Sequence, residues 1–140
     1  MTDDPAGATP IDWAELRRRA IEMTDRSYAP YSGVRVGAAA MCADGTIIVG
    51  CNVENASTGI GICAEVNLCG QMVAAGSSRP VALAVVAGDR EPIAPCGRCR
   101  QFLFEFGGGD LLIELSRGVV PLRELLPDAF GPDDVGTRAG

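Results

Sequence analysis

From Asp12 onward, apolar residues recur at helical spacing. Trp13, Leu16, Ala20 and Met23 form the repeat, and Asp12 is placed to cap its start. This helix should end before Pro30, because the residue before a proline avoids the helical region. The pattern then changes. Val34 to Cys42 is small and apolar, Asp44-Gly45 supplies a tight turn, and Thr46 to Val53 is β-rich, which together predict a β-hairpin. Glu54 to Gly61, with its Asn, Ser, Thr and Gly, reads as a loop. Cys63 to Ala75 reads as a helix stopped by Gly76. Val81 to Ala87 is almost continuously apolar, as a strand covered on both faces should be.

Pro95 introduces a helix over Gly97 to Phe106, ended by three glycines. Leu111 to Leu115 is a further short strand, and Pro121 to Leu126 a short helix. No internal repeat is present. The expected organisation is a mobile tail at 1–10, one domain at 11–131 and an irregular tail at 132–140. Alternation of helix and strand after the hairpin predicts an α/β fold, a mixed sheet with helices on its faces.

Length and composition agree with one globular domain. The chain has 140 residues, 47% hydrophobic and 21% charged, enough to bury a core without disulfide staples. Its formal net charge of −6 disfavours a nucleic-acid polymer as partner, since phosphate binding calls for a basic face. The one tight basic cluster, Arg17-Arg18-Arg19, falls in the first helix, where a solvated face is expected. No apolar run reaches the roughly 18 residues that a membrane span needs. The start of the chain lacks the charged-then-apolar plan of a signal peptide. A soluble, cytoplasmic protein is expected, with its six cysteines as thiols or metal ligands rather than disulfides. Histidine is absent, which removes the commonest general base and the commonest zinc nitrogen ligand.

The chemistry concentrates in two segments, Cys63-Ala64-Glu65 and Pro95-Cys96-Gly97-Arg98-Cys99. Two thiolates at the start of a helix, two residues apart, can grip one metal ion. Catalytic zinc takes three protein ligands and keeps a fourth position open. Cys63, Cys96 and Cys99 supply three. Cys69 lies about 240° around its helix from Cys63 and faces elsewhere. Cys42 and Cys51 fall on the hairpin. Glu65 is placed to move protons beside the metal without binding it, and zinc lowers the pKa of water toward about 7. This is the zinc deaminase arrangement in its three-cysteine form, in which the proton goes to a ring nitrogen and a leaving amine. A CxxC pair alone also fits a redox motif or a structural zinc knuckle, but thioredoxin-like chemistry uses neither Cys63 nor Glu65.

Three thiolates on Zn²⁺ leave a net charge of −1. Helix N-termini at the cysteines offset part of it. Arg98 or Arg100 is expected to supply the rest, and a solvent-facing or subunit-contacting Arg98 is the competing reading.

At the level of whole segments the chain resembles the small, homotetrameric cytidine deaminases. The matching stretches are PYSGVRVGAAA (30–40), GCNVENAS (50–57), ICAE (62–65), PCGRCRQFLFEF (95–106) and LLPDAFG (125–131). The resemblance implies a five-stranded mixed sheet packed with helices, and one Zn²⁺ per subunit. It implies release of ammonia from cytidine or 2′-deoxycytidine within pyrimidine salvage. By the same resemblance, Cys63, Cys96 and Cys99 match the zinc ligands and Glu65 the proton shuttle. Asn52 and Glu54 match residues that bond the ribose 3′-hydroxyl, Ala64 a backbone donor to the pyrimidine, and Phe130 an aromatic that covers the base in a neighbouring subunit. Asn52 and Glu54 are expected to end a strand and point from it into a pocket.

Three positions depart from the family. Val34 stands where Phe is common and packs on the nucleoside, Thr58 where Tyr is common, and Val66 where an Arg often offsets thiolate charge. These departures leave a second reading open, the same reaction on a modified cytosine or other aminopyrimidine nucleoside. A third reading is a zinc-stabilised structural or binding protein without activity, against which the intact Glu65 argues.

Overall fold

The computed structural model describes residues 10–138. The expected N-terminal tail therefore lies almost entirely outside the described residues. Helix α1 spans Trp13–Thr24, and the Asp12 carboxylate accepts the Glu15 backbone N–H at 3.0 Å, as a capping residue should. Strands β1 (Val36–Cys42) and β2 (Ile47–Cys51) form the expected antiparallel hairpin, with Ala39 opposite Val49. Helix α2 (Ala64–Ala75) stops at Gly76, which takes a left-handed φ of 68°. Then follow β3 (Pro80–Ala87), α3 (Gly97–Gly107), β4 (Leu112–Leu115), β5 (Gly118–Pro121), the short α4 (Leu122–Leu125) and α5 (Pro132–Arg138).

The five strands form one mixed sheet in the order β2-β1-β3-β4-β5. Only β3 and β4 pair in parallel. Strand β3 is covered on both faces, as its apolar run requires. Leu83 and Val85 join Ala38, Ala40, Leu68, Leu103 and Ile113 on the face under α2 and α3. Ala82, Ala84 and Val86 join Ala39, Leu16 and Ala20 on the face under α1. The alanines of β1 let helices approach closely on both sides. At Gly37 the approach is closest: a Cβ there would lie 1.9 Å from the Ala20 carbonyl oxygen, so only glycine fits.

Three expectations need correction. Residues 132–140 are not irregular throughout, since Pro132–Arg138 are helical. Pro132 opens that helix, and the Asp134 carboxylate accepts the Gly131 N–H at 2.8 Å, a short capping arrangement. The hydrophobic pattern did not announce β5, a four-residue edge strand at Gly118–Pro121. Nor is the basic cluster a uniformly solvated face. Arg18 pairs with Glu15 and Glu22 at the surface, whereas Arg17 makes a bidentate contact with the buried Glu114 of β4, at 2.9 and 2.6 Å.

Candidate functional site

Both β2 and β3 run antiparallel to β1, so they run the same way and finish at the same end of the sheet. The segments leaving them lead into α2 and α3. A bridge between Val86 and Pro92 holds the second segment against β3, and one between Val53 and Ile62 folds the first back on itself. In consequence the N-termini of two helices meet. Cys63 is the N-cap residue of α2, Cys96 that of α3, and Cys99 sits in the first turn of α3. Gly50 of β2 permits this packing, because α2 crosses β2 there with no room for a side chain.

The Sγ atoms of Cys63, Cys96 and Cys99 all lie within 4.8 Å of one another. Thiolates bound tetrahedrally at about 2.3 Å from zinc would be roughly 3.8 Å apart, so the set needs only a small contraction to hold the ion. Burial pushes the Cys63 thiol up, and burial together with the Glu65 charge and the Cys63 sulfur pushes Cys99 up. Burial works against Cys96 as well, but the backbone amides of Cys99 and Arg98, with the neighbouring thiols, hold it below its ordinary value. A bound divalent cation would favour the thiolate form of all three. The donor set therefore fits zinc.

Glu65, in the first turn of α2, is only 4% exposed. Burial raises its carboxyl above the usual range, partly offset by its own backbone N–H and by Cys99. It lines the same cavity as the three cysteines, a space of about 450 Å³, within the range of small-molecule sites. Ala64 lines it too and is fully buried. As the first residue of α2, its backbone N–H has no partner four residues back in the helix.

Asn52 and Glu54 also line the cavity, but they lie beyond the end of β2 rather than on it. The chain there is held by the Tyr28–Val53 and Val53–Ile62 bridges. The Asn52 amide oxygen accepts the Val36 N–H at 2.9 Å and the Ser27 hydroxyl at 2.5 Å, and its amide nitrogen donates to the Val34 carbonyl at 2.8 Å. One Glu54 oxygen accepts the Tyr31 and Ser32 backbone N–H groups at 2.9 and 3.2 Å, and the other accepts the Ser32 hydroxyl. The Ser32 hydroxyl, ahead of the two backbone donors, keeps the Glu54 carboxyl below its ordinary value.

The two arginines separate. Arg98 lines the cavity and reaches the Gly61 carbonyl at 3.5 Å. Arg100 does not line it; its guanidinium donates to the Pro95 and Leu125 carbonyls at 2.8 and 3.0 Å. Thr58, which opens a 3-10 turn at Thr58–Ile60, lines the cavity. Val34 is half exposed and Phe130 is 63% exposed, and neither lines the cavity of a single chain. Sequence reasoning gave no role to Tyr31, Ser32, Val36, Ile93 or Ala94, which also line it. For the first three a signal existed in the PYSGVRV stretch. Ile93 and Ala94 carried none beyond their place before Pro95.

Comparison with known proteins agrees with this geometry. Residues 12–114 match the model of the cytidine and deoxycytidylate deaminase zinc-binding region. The chain is 46% identical over 125 residues to a cytidine deaminase of Mycobacterium tuberculosis, covering 89% of this chain and 94% of that protein. It is 38% identical over 130 residues to a cytidine deaminase of Halalkalibacterium halodurans, covering 89% and 98%. The crystal structure of a mutant cytidine deaminase from M. tuberculosis superposes with a TM-score of 0.87 at 46% identity, covering 89% of this chain and 99% of that one. A cytidine deaminase structure from Burkholderia pseudomallei gives a TM-score of 0.78 at 42% identity, covering 86% and 100%.

Proposed function

The chain belongs to the cytidine and deoxycytidylate deaminase family, and on that premise we propose that it deaminates cytidine and 2′-deoxycytidine to uridine and 2′-deoxyuridine. The observation that carries this reading is the meeting of a buried Glu65 with Cys63, Cys96 and Cys99 in one cavity. Cys63, Cys96 and Cys99 hold one zinc ion. Its Lewis acidity lowers the pKa of a water molecule toward about 7.

The chain's own residues do the rest. Glu65 takes a proton from the attacking water and delivers it to the ring nitrogen of the base. Glu65 then passes the second water proton to the exocyclic amine. The water oxygen bonds to the ring carbon, the carbon–amine bond breaks, and ammonia leaves. Burial of Glu65 suits both duties, because it brings the carboxyl closer to neutral pH, where it can accept and donate. The Ala64 N–H bonds the pyrimidine. Asn52 and Glu54 bond the ribose hydroxyl, and Glu54, whose carboxyl Ser32 keeps below its ordinary value, acts as acceptor there. Arg98, at the cavity wall, offsets thiolate charge; Arg100 holds the α3 entry in place.

The catalytic domain covers residues 11–131, and the enzyme works in the cytoplasm in pyrimidine salvage. A homotetramer is supported by the exposed Phe130 and by the exposed apolar Val73 and Phe102 of α2 and α3. Phe130 then covers the base in a neighbouring subunit's site, and Val34 stands where the family's aromatic packs on the nucleoside. A second reading, a base-modified cytosine nucleoside, is favoured by Thr58 in the cavity wall, where the family commonly has Tyr.

The test is the absorbance of cytidine, deoxycytidine and base-modified cytidines incubated with zinc-loaded protein. Loss of the cytidine band with ammonia release is expected. Turnover of a modified nucleoside alone would select the second reading. Silence on every nucleoside with zinc bound would overturn both.

A further inference from the structure

We propose that Ser27 is a positioning residue that fixes the Asn52 amide for sugar recognition. It rests on the reading that Asn52 bonds the sugar hydroxyl. Ser27 follows α1 in the chain and is 7% exposed, an unusual place for a hydroxyl without a task. Its Oγ donates to Asn52 Oδ1 at 2.5 Å. The same oxygen accepts the Val36 N–H at 2.9 Å. Both lone pairs of Oδ1 are thereby filled, so the oxygen has no capacity left for a ligand. The amide nitrogen carries two hydrogens. One goes to the Val34 carbonyl at 2.8 Å, and the other is left for the cavity that Asn52 lines.

Asn52 is therefore held as a donor toward the sugar, while Glu54 is an acceptor. A hydroxyl, which both donates and accepts, satisfies the pair at once. Flipping the Asn52 amide would bring its nitrogen against the Val36 N–H and its oxygen against the Val34 carbonyl, and Ser27 adds the side-chain contribution to that orientation. Ser27 is itself anchored. Arg35 donates to the Ser27 and Thr24 carbonyls, both at 3.3 Å, and the neighbouring Tyr28 N–H donates to the Asn52 carbonyl at 3.1 Å.

The test compares cytidine with 3′-deoxycytidine on zinc-loaded wild type, Ser27→Ala, Ser27→Cys and Ser27→Thr, with zinc content and thermal unfolding measured beside the kinetics. Wild type should strongly prefer cytidine. Ser27→Ala should lose about three- to tenfold in kcat/KM on cytidine, chiefly through KM, with little change on 3′-deoxycytidine, the size expected for one hydrogen bond. Ser27→Cys keeps the volume with a weak donor and should show the same loss, while Ser27→Thr restores selectivity. An equal loss on both substrates marks a purely structural role and overturns the proposal. A wild type indifferent to the 3′-hydroxyl overturns the sugar reading beneath it, which is a different failure.

Discussion

Gly50 and Leu68 stand so close that a Cβ on Gly50 would lie 2.6 Å from the Leu68 backbone nitrogen and 2.7 Å from the Ala64 carbonyl oxygen. The neighbour is helix backbone, which cannot swing aside. Gly50→Ala must push the first turns of α2 away from β2, and that turn carries Cys63 and Glu65. Destabilisation of about 1–3 kcal/mol or more is expected, together with a fall in kcat. Chemical denaturation and steady-state kinetics measure the two. Full activity with unchanged stability would show that α2 is not held by this contact.

Glu65→Gln should lower kcat by about 10²–10⁴-fold, the contribution of a positioned acid–base group. The amide keeps the volume, so metal analysis should still find one zinc per chain. Loss of zinc along with activity would instead make Glu65 part of the metal site.

Removing the ion with a chelator, or one ligand with Cys99→Ser, should lower the unfolding temperature as well as activity. Cys99 is fully buried, and metal bound only by the folded chain adds to its stability by mass action. Calorimetry of zinc-loaded and stripped protein gives the difference. Equal unfolding temperatures would contradict the fit of the thiol set to zinc.

Ser32→Ala should raise the Glu54 pKa, because the Ser32 hydroxyl is the largest influence lowering it. Glu54 is the depressed-carboxyl case. What its charge contributes is present above the unfolded pKa and is lost as pH falls through the folded value. Without Ser32 that loss begins at higher pH. A carboxyl NMR titration of Glu54 in the two proteins reads the shift directly, and KM for cytidine should rise at acid pH in the variant first.

The two arginines should part company. Arg100→Gln removes bonds to the Pro95 and Leu125 carbonyls and should lower stability by about 1–3 kcal/mol. Arg98→Gln should leave stability nearly unchanged but weaken zinc affinity and turnover. Unaltered zinc binding in Arg98→Gln would remove it from charge compensation.

What the sequence made legible follows from the range of the forces involved. The helix at Trp13–Thr24 and the hairpin were readable because caps, turns and apolar periods act over a few residues. The cysteine and glutamate set was readable because its chemistry demands particular residue types. Strand β5 was not, since four residues at an edge owe their conformation to pairing with β4. The Asn52 amide was placed on the end of a strand, whereas its orientation comes from Ser27, Val34 and Val36, contacts 16 to 25 residues away along the chain. Arg98 and Arg100 look equivalent in one dimension; the carbonyls of Pro95 and Leu125 tell them apart only in three.

The strand order β2-β1-β3 also decides what the metal site depends on. Cys63 leaves the ribosome with α2, more than thirty residues before Cys96. In the folded chain it is β3, lying along β1 on the side opposite β2, that leads to Cys96 and Cys99. All three sulfurs come within reach of one ion only in the folded chain. Tight zinc binding is in this way a property of the assembled sheet, and it reports on the order of the strands as well as on the three cysteines.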